Sequence, residues 1–170
     1  MSSSTTEPLT RHNRTAAVVT VSDSCSCGER QDRSGPDIAQ FLERHHFHII
    51  AREVIPDDST KIQNLLIRLA REVRLIVTTG GTGIAPRDIT PEATIAVCDR
   101  LIPGISEHMR AEGMKATRFS ALSRGVCGVR GQALILNLPG SPTGAIESLD
   151  AVAGLIPHAL DLLCGHTSHG

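Results

Sequence analysis

The segment best suited to chemistry is a glycine-rich loop that ends in a carboxylate. Residues 75–77 are consecutive apolar residues, as in a strand buried on both faces, and Gly80, Gly81 and Gly83 follow them. Glycine accepts positive φ angles and has no side chain, so these residues bring backbone N–H groups close to a bound anion. Asp88 comes next. A carboxylate beside a phosphate site predicts a Mg²⁺ ion held between the two.

The residues after the loop carry helix-start signals. Thr90 is suited to cap a helix and Pro91 to lie in its first turn, which puts the acid beside a helix N-terminus. The loop differs from both common nucleotide motifs, because no lysine follows the glycines and Pro86 stands where a dinucleotide motif has its last glycine. A strand-to-helix turn without a ligand is the alternative. The acid and the neighbouring Arg87 favour a phosphate site.

Polar residues also follow the other strands expected in the sheet. Ser22 and Asp23 come after one apolar run, Asp57 after a second, and residues 137–141 (Asn-Leu-Pro-Gly-Ser) at the end of the last. In an open parallel α/β sheet, ligands bind outside the carboxyl ends of the strands. Each segment alone is explained by an ordinary connecting turn. Together they predict one site at this edge of the sheet.

The order of the apolar segments predicts an α/β fold, a three-layer sandwich with a mainly parallel, Rossmann-like sheet. Strands are expected at residues 16–21, 47–54, 75–77 and 133–138. Helices are expected after Ser34 and after Asp58, and at residues 92–101, 104–113 and 143–163, the last interrupted by Gly154 and Pro157. The domain is expected to span residues 15–165, between a flexible polar tail at 1–14 and a short tail at 166–170.

Composition narrows the class of protein. A chain of 170 residues with 40% hydrophobic content is long enough for one globular domain. The net charge of −1 and the presence of only three aromatic residues, all Phe, argue against a nucleic-acid surface and a membrane belt. No stretch resembles a signal peptide or a membrane span, so a cytoplasmic protein without membrane contact is expected.

The cysteines and histidines are expected to have no metal-binding role. Five cysteines without a disulfide-framework spacing predict free thiols, and Cys25 and Cys27 lie closer together than the usual metal-binding pair. His45, His46 and His48 fall between a helix and the next strand. We interpret them as a polar helix end.

A series of ordered motifs runs through about residues 16–165. The motifs are Val-Ser-Asp at 21–23, Asp-Arg-Ser-Gly-Pro at 32–36, Ile-Pro-Asp at 55–57, Thr-Gly-Gly-Thr-Gly at 79–83, Arg-Asp-Ile-Thr-Pro-Glu-Ala-Thr at 87–94, Leu-Ser-Arg at 122–124, Gly131 and Asn-Leu-Pro-Gly-Ser at 137–141. Together they resemble the molybdopterin adenylyltransferase family. The bacterial molybdenum-cofactor biosynthesis proteins, the amino-terminal part of gephyrin and one domain of the plant cofactor enzyme are similar.

The resemblance implies adenylylation of molybdopterin that depends on ATP and Mg²⁺. Asp57 and Asp88 match the family's two catalytic aspartates, and Asp88 is also the expected metal ligand. Nucleotide binding is expected at Gly80, Gly81, Thr82, Gly83, Pro139, Gly140 and Ser141. Substrate binding is expected at Ser22, Asp23, Ser123 and Arg124. Apart from the resemblance, Arg87 and Arg130 are candidate phosphate contacts, although surface arginines usually have no such role.

The resemblance also implies a homotrimer that acts before a separate molybdate-insertion protein. The apolar residues 152–163 are available for a subunit contact or for the core. A non-catalytic pterin-binding or scaffold paralogue of the same fold is the main alternative. A nicotinamide-dependent oxidoreductase is disfavoured by the broken dinucleotide motif.

Overall fold

A computed structural model describes residues 14–165 and confirms the predicted α/β sandwich. Its six strands are β1 (Thr15–Val21), β2 (His48–Ile55), β3 (Leu75–Thr79), β4 (Arg100–Leu101), β5 (Cys127–Arg130) and β6 (Ala133–Leu138). Its helices are α1 (Asp23–Ser26), α2 (Ser34–Arg44), α3 (Ser59–Glu72), α4 (Thr90–Val97), α5 (Pro103–Ala116), α6 (Pro142–Ala153) and α7 (Ile156–Leu163), with a 3-10 helix at Arg118–Leu122. The tails expected at residues 1–14 and 166–170 lie outside the described part except for Arg14, whose guanidinium group donates to the His45 carbonyl at 3.4 Å.

The strands form one sheet in the order β2-β1-β3-β6-β5-β4. The first four are parallel, and β5 and β4 continue the sheet antiparallel. Thr79 of β3 pairs with Thr20 of β1 on one side and with Leu138 of β6 on the other. The carboxyl ends of these three strands therefore lie level at one edge, which we call the carboxyl edge of the sheet.

The apolar core lies on both faces of the sheet. One cluster packs α2, α5, α6 and α7 against alternate strand residues such as Val18 and Val77, and the other packs α3 and α4 against Val19 and Ile76. Every residue of β3 is buried because helices cover both faces. The apolar run at residues 75–77, which shows no polar alternation, follows from that arrangement, and the last two residues, Thr78 and Thr79, are buried polar residues.

Several helix boundaries differ from the sequence prediction. The helix expected at 92–101 ends at Val97, and its last residues form the short strand β4 instead. Thr90 does not cap α4: its hydroxyl donates to the Gly80 carbonyl at 3.0 Å, and the helix begins without a side-chain cap. Ser34 likewise lies inside α2, where Asp32 accepts a hydrogen bond from the Gly35 N–H at 3.0 Å.

Other expectations concern single residues. His45 caps the end of α2 and His46 follows with a φ of 65°, as predicted for a polar helix end, whereas His48 is the first residue of β2 and not part of that end. None of the five cysteines, which lie at 25, 27, 98, 127 and 164, is in a disulfide. No helix among residues 14–165 has the length and apolar character needed to cross a membrane.

We expect the five thiols to differ strongly in reactivity. Burial raises the pKa of Cys98 to about 11 and that of Cys127 to about 12, so the reactive thiolate fraction of Cys127 at pH 8 is about 10⁻⁴. Cys27 is exposed. Brief maleimide labelling followed by peptide mass spectrometry should modify Cys27 and leave Cys98 and Cys127 unmodified until urea is added. Rapid labelling of Cys127 in the folded protein would contradict this burial.

Candidate functional site

The loops that follow β1, β3 and β6 are held together at the carboxyl edge. The Gly80 N–H donates to the Leu138 carbonyl at 3.1 Å, and the Thr79 hydroxyl donates to the Pro139 carbonyl at 2.8 Å. The Ser22 N–H donates to the Ile55 carbonyl at 2.9 Å, which ties the end of β1 to the end of β2. The segments predicted to share one edge of the sheet are therefore joined in pairs: the end of β3 to the end of β6, and the end of β1 to the end of β2.

The glycine loop requires glycine for two separate reasons. Gly80 and Gly81 have φ angles of 96° and 66°, which side chains rarely adopt. A Cβ atom on Gly80 would also stand within 3.0 Å of the Val21 carbonyl oxygen, and one on Gly81 would stand 3.0 Å from Asp57 Oδ1. The loop therefore lies tightly between the end of β1 and the carboxylate that follows β2.

Asp23 and Asp57 hold each other through their backbones. The Asp23 N–H donates to Asp57 Oδ2 at 3.0 Å, and the Asp57 N–H donates to Asp23 Oδ1 at 3.0 Å. Arg87 joins the pair from the glycine loop, donating from Nε to Asp23 Oδ2 at 2.5 Å and from Nη2 to the Asp57 carbonyl at 3.1 Å. These bonds fix three loops relative to one another.

The two carboxyl groups of this cluster have opposite pKa shifts. The hydrogen bond from Arg87 lowers the pKa of Asp23, and the hydrogen bond from the Asp57 backbone adds to that effect. Burial raises the pKa of Asp57, with the negative charge of Asp23 as a further cause. Asp23 is therefore the ion-pair partner of Arg87. Asp57 is the more desolvated acid and faces the site.

Asp88 ends the glycine loop in a tight turn. Its Oδ2 accepts the Ala85 N–H at 2.9 Å, and its own N–H donates to the Ala85 carbonyl at 2.9 Å. Gly83 leaves room for this carboxylate, since a Cβ atom there would stand 2.8 Å from Oδ2. The turn directs the side chain toward the same cavity as Asp57.

Two cavities open on either side of the glycine loop. The larger, of about 410 Å³, has apolar side chains such as Met109, Phe119 and Leu122 in its wall together with Ser123. The smaller, of about 380 Å³, has a more polar wall that includes Arg30, Arg33 and Asp57. Both volumes lie within the range of small-molecule sites. Four residues line both cavities: Gly81, Asp88, Gly140 and Ser141. We call these four residues the shared wall.

The smaller cavity is suited to an anion. Arg30 and Arg33 are exposed at its wall, and neither forms an ion pair with any residue between 14 and 165. Two helices also begin there: α2 at Ser34, and α6, whose cap Ser141 accepts the Gly144 N–H at 3.0 Å. Helix N-termini favour negative charge. Backbone dipoles and two arginines therefore face three carboxylates in this cavity, Asp32, Asp57 and Asp88. The Asp32 carboxylate accepts hydrogen bonds from the Thr20 hydroxyl and the Gly35 N–H.

The acids fit a Mg²⁺ ion that is shared with a phosphate ligand. Asp57 and Asp88 both line the smaller cavity, and Asp57 Oδ1 accepts no hydrogen bond from the described part of the chain. Within residues 14–165 no cluster of three or more metal-binding side chains exists, so the protein does not form a complete metal cage there. Mg²⁺ commonly takes one or two carboxylates and completes its shell with water and substrate phosphate.

The structure divides the residues predicted to bind substrate. Ser22 lies at the smaller cavity and Ser123 at the larger, whereas Asp23 is engaged by Arg87. Arg124 lines neither of these two cavities, and its guanidinium group donates to loop carbonyls instead. Arg130, expected to contact phosphate, lies at the opposite edge of the sheet and donates to the Val97 carbonyl at 2.7 Å. That expectation is wrong.

The other predicted residues meet at the carboxyl edge. Those expected to bind nucleotide line one or both cavities: Gly80, Gly81, Thr82, Gly83, Pro139, Gly140 and Ser141. The sequence placed Asn137 at this edge, but its role in supporting the larger cavity was not predicted. Its buried amide donates to the hydroxyls of Thr78 at 2.9 Å and Thr94 at 3.0 Å, and its oxygen accepts the Val126 N–H. A polar residue inside an apolar strand was the available signal.

Comparisons with known proteins show one family model, several curated proteins and solved structures that are similar to this chain. The family model described as a probable molybdopterin binding domain matches residues 17–158. A molybdopterin adenylyltransferase of Helicobacter pylori J99 is 41% identical over 156 residues, covering 88% of this chain and 87% of that protein. The Drosophila melanogaster molybdenum cofactor synthesis protein cinnamon is 40% identical, but the chain spans only 25% of its length. The crystal structure of the molybdopterin biosynthesis enzyme MoaB from Thermus thermophilus superposes with a TM-score of 0.84 at 50% identity, covering 89% of this chain and 96% of that one.

Proposed function

Because the chain belongs to the probable molybdopterin binding domain family, we propose that it is a molybdopterin adenylyltransferase, a nucleotidyltransferase of molybdenum-cofactor biosynthesis. The observation that carries the proposal is the shared wall, because it places two cavities of ligand size on either side of one carboxylate, Asp88. The reaction joins two substrates, so it needs two adjoining sites. The relatives' names favour an enzyme over a non-catalytic paralogue.

In the proposed reaction, the terminal phosphate of molybdopterin attacks the α-phosphorus of ATP. A bond forms between that phosphate oxygen and the α-phosphorus, and the bond to the bridging oxygen of the β-phosphate breaks. The products are adenylyl-molybdopterin and pyrophosphate. Both substrates are anionic, so the protein must neutralise charge and hold the reacting groups in line.

We assign the phosphate groups of ATP to the smaller cavity and the pterin to the larger one. Thr82, Gly83 and Pro139, which the resemblance gives to the nucleotide, line only the larger cavity, so this assignment moves them to the pterin side. Backbone N–H groups of the glycine loop, together with Arg30 and Arg33, would bind the phosphates. Asp57 and Asp88 would hold Mg²⁺, which when bound neutralises phosphate charge. Asp57 in addition is suited to orient a neighbouring water or the pterin. Arg87 is bound to Asp23, so its proposed task is to hold the loops rather than to contact phosphate.

The direct test is product formation. Purified protein incubated with ATP, Mg²⁺ and molybdopterin should yield adenylylated pterin and one pyrophosphate for each product molecule. Omitting Mg²⁺ or replacing ATP by a nonhydrolysable α,β-methylene analogue should abolish both products. Tight pterin binding without either product would identify the non-catalytic paralogue.

Truncation of Ser123 should separate pterin binding from nucleotide binding. Ser123 lines the larger cavity and not the smaller one. A hydroxyl hydrogen bond contributes roughly 0.5–1.5 kcal/mol, so Ser123→Ala should weaken molybdopterin binding about two- to tenfold and leave ATP affinity unchanged. Ser59→Ala, an exposed position at the start of α3, is the matched control. Separate titrations with each ligand measure the effect, and equal losses for both ligands would contradict the division.

We further propose that the protein is a cytoplasmic homotrimer that passes its product to a separate molybdate-insertion protein. Leu155 and Leu162 are about half exposed in the apolar segment predicted to contact a second copy, whereas Val152 is in the core. Light scattering coupled to size exclusion should give three times the chain mass of 18.1 kDa at micromolar concentration. A monomer mass would contradict the trimer.

A further inference from the structure

Arg124 binds both ends of the loop that carries Asp88. Its Nε donates to the Gly83 carbonyl at 2.7 Å, and its Nη2 donates to the Asp88 carbonyl at 2.6 Å. Its Nη1 pairs with Glu92 of α4, and its backbone N–H donates to the Thr82 carbonyl at 2.8 Å. We call these four contacts the Arg124 clamp.

The loop between the two bound carbonyls is held by hydrogen bonds rather than by packing. Residues 84–87 are exposed, and the Ile84 side chain is 69% exposed, so packing contributes little to the position of this segment. Arg87 holds the loop on one side through Asp23. The clamp holds it on the other. A planar guanidinium group orders two carbonyls at once, which the point charge of lysine does not.

The clamp also connects Asp88 to the wall of the larger cavity. Arg124 directly follows Ser123, which lines that cavity. Arg110 of α5 donates to the carbonyls on either side of Arg124, at 3.5 Å to Ser123 and 3.1 Å to Gly125. The segment that carries Arg124 is therefore anchored to α5, independently of the glycine loop.

We propose that Arg124 is a positioning residue for the transfer reaction, which fixes the Gly83-to-Asp88 loop so that the Asp88 carboxylate stands at the shared wall. The motif match had implied that Arg124 binds the pterin. Three of its nitrogens are instead occupied by Gly83, Asp88 and Glu92, and the charge is balanced by Glu92. The role in catalysis rests on the proposed function, whereas the ordering of the loop does not.

The test compares Arg124→Lys and Arg124→Ala with Arg68→Ala. Arg68 is a matched control because it also forms carboxylate ion pairs, with Glu53 and Glu72, and lies on α3 away from the site. Hydrogen–deuterium exchange of the peptide covering residues 83–88 should become about tenfold faster or more in both Arg124 variants and stay unchanged in the control. Small displacements of a reacting group are costly, so kcat should fall about tenfold or more while both KM values stay within about twofold.

Each other outcome contradicts part of the proposal. Unchanged exchange in both Arg124 variants would overturn the clamp whatever the activity. Faster exchange with a normal kcat would overturn the positioning role, and so would a higher KM for molybdopterin at an unchanged kcat, which would make Arg124 a pterin ligand. If Arg124→Ala does not fold, Arg124→Lys decides. A wild-type protein without adenylyl transfer would contradict the proposed function, and the exchange experiment would still decide whether Arg124 orders the loop.

Discussion

Replacing Asp88 with asparagine should reduce adenylyl transfer about a hundredfold or more and leave the fold intact. Asparagine keeps the size of the side chain, and its amide oxygen can still accept the hydrogen bond that Asp88 receives from the Ala85 N–H at 2.9 Å. The variant loses only the negative charge at the shared wall. A hundredfold effect corresponds to about 2.7 kcal/mol of transition-state stabilisation.

Asp58→Asn is the matched control for this variant. Asp58 is an exposed carboxylate next to Asp57, and it caps α3 by accepting the Lys61 N–H at 2.9 Å. Asparagine is an equally good helix cap, so this variant should keep full turnover and stability. Steady-state rates and thermal unfolding by circular dichroism test both proteins. Near-normal turnover in a folded Asp88→Asn protein would refute the catalytic assignment.

Replacing Gly80 with alanine should destabilise the protein by about 2–4 kcal/mol and abolish most activity. Two costs add at this position: a φ of 96° that alanine resists, and a Cβ atom placed within 3.0 Å of the Val21 carbonyl oxygen. Relief of that clash would require β1 and the glycine loop to separate. The predicted phosphate site lies between these two segments.

Gly131→Ala measures the cost of a positive φ angle alone, without a steric clash. Gly131 also has a positive φ, 58°, but a Cβ atom there would meet nothing within 4 Å. We expect a loss of about 1–2 kcal/mol for this variant and normal activity, because Gly131 lies in the turn between β5 and β6 at the opposite edge of the sheet. Urea unfolding gives both free energies of unfolding. Equal losses for the two variants would show that the close approach of Val21 is unimportant.

The central strands could be predicted because burial on both faces of the sheet dominates their sequences. Both faces of β1, β3 and β6 are covered, so each is an apolar run bounded by polar residues, and the predicted bounds are within two residues of the observed ones. Strand β4 is only two residues long, and both are exposed. Strand β5 is only four residues long. They form because they pair with β6 and with each other, and a pairing partner leaves no local signal in such short segments.

The positions of the charged groups at the site could be predicted only in part. Asp57 follows β2 and Asp88 follows β3, and both strands end at the carboxyl edge of the sheet with only β1 between them. The proximity of the two carboxylates therefore follows from the topology. The partners of Arg87 and Arg124 are carbonyls and carboxylates far away in sequence, and their choice depends on loop geometry. Ser22 and Ser123 face different cavities for the same reason.

Two substrates bound on either side of Gly81 and Asp88 would be in contact before any bond breaks. Such a site needs no nucleophilic side chain to carry the adenylyl group from one substrate to the other. Initial-rate measurements should accordingly give intersecting double-reciprocal lines, the pattern of a ternary complex, rather than the parallel lines of a ping-pong enzyme. Radiolabelled ATP alone should leave no adenylyl group on the protein.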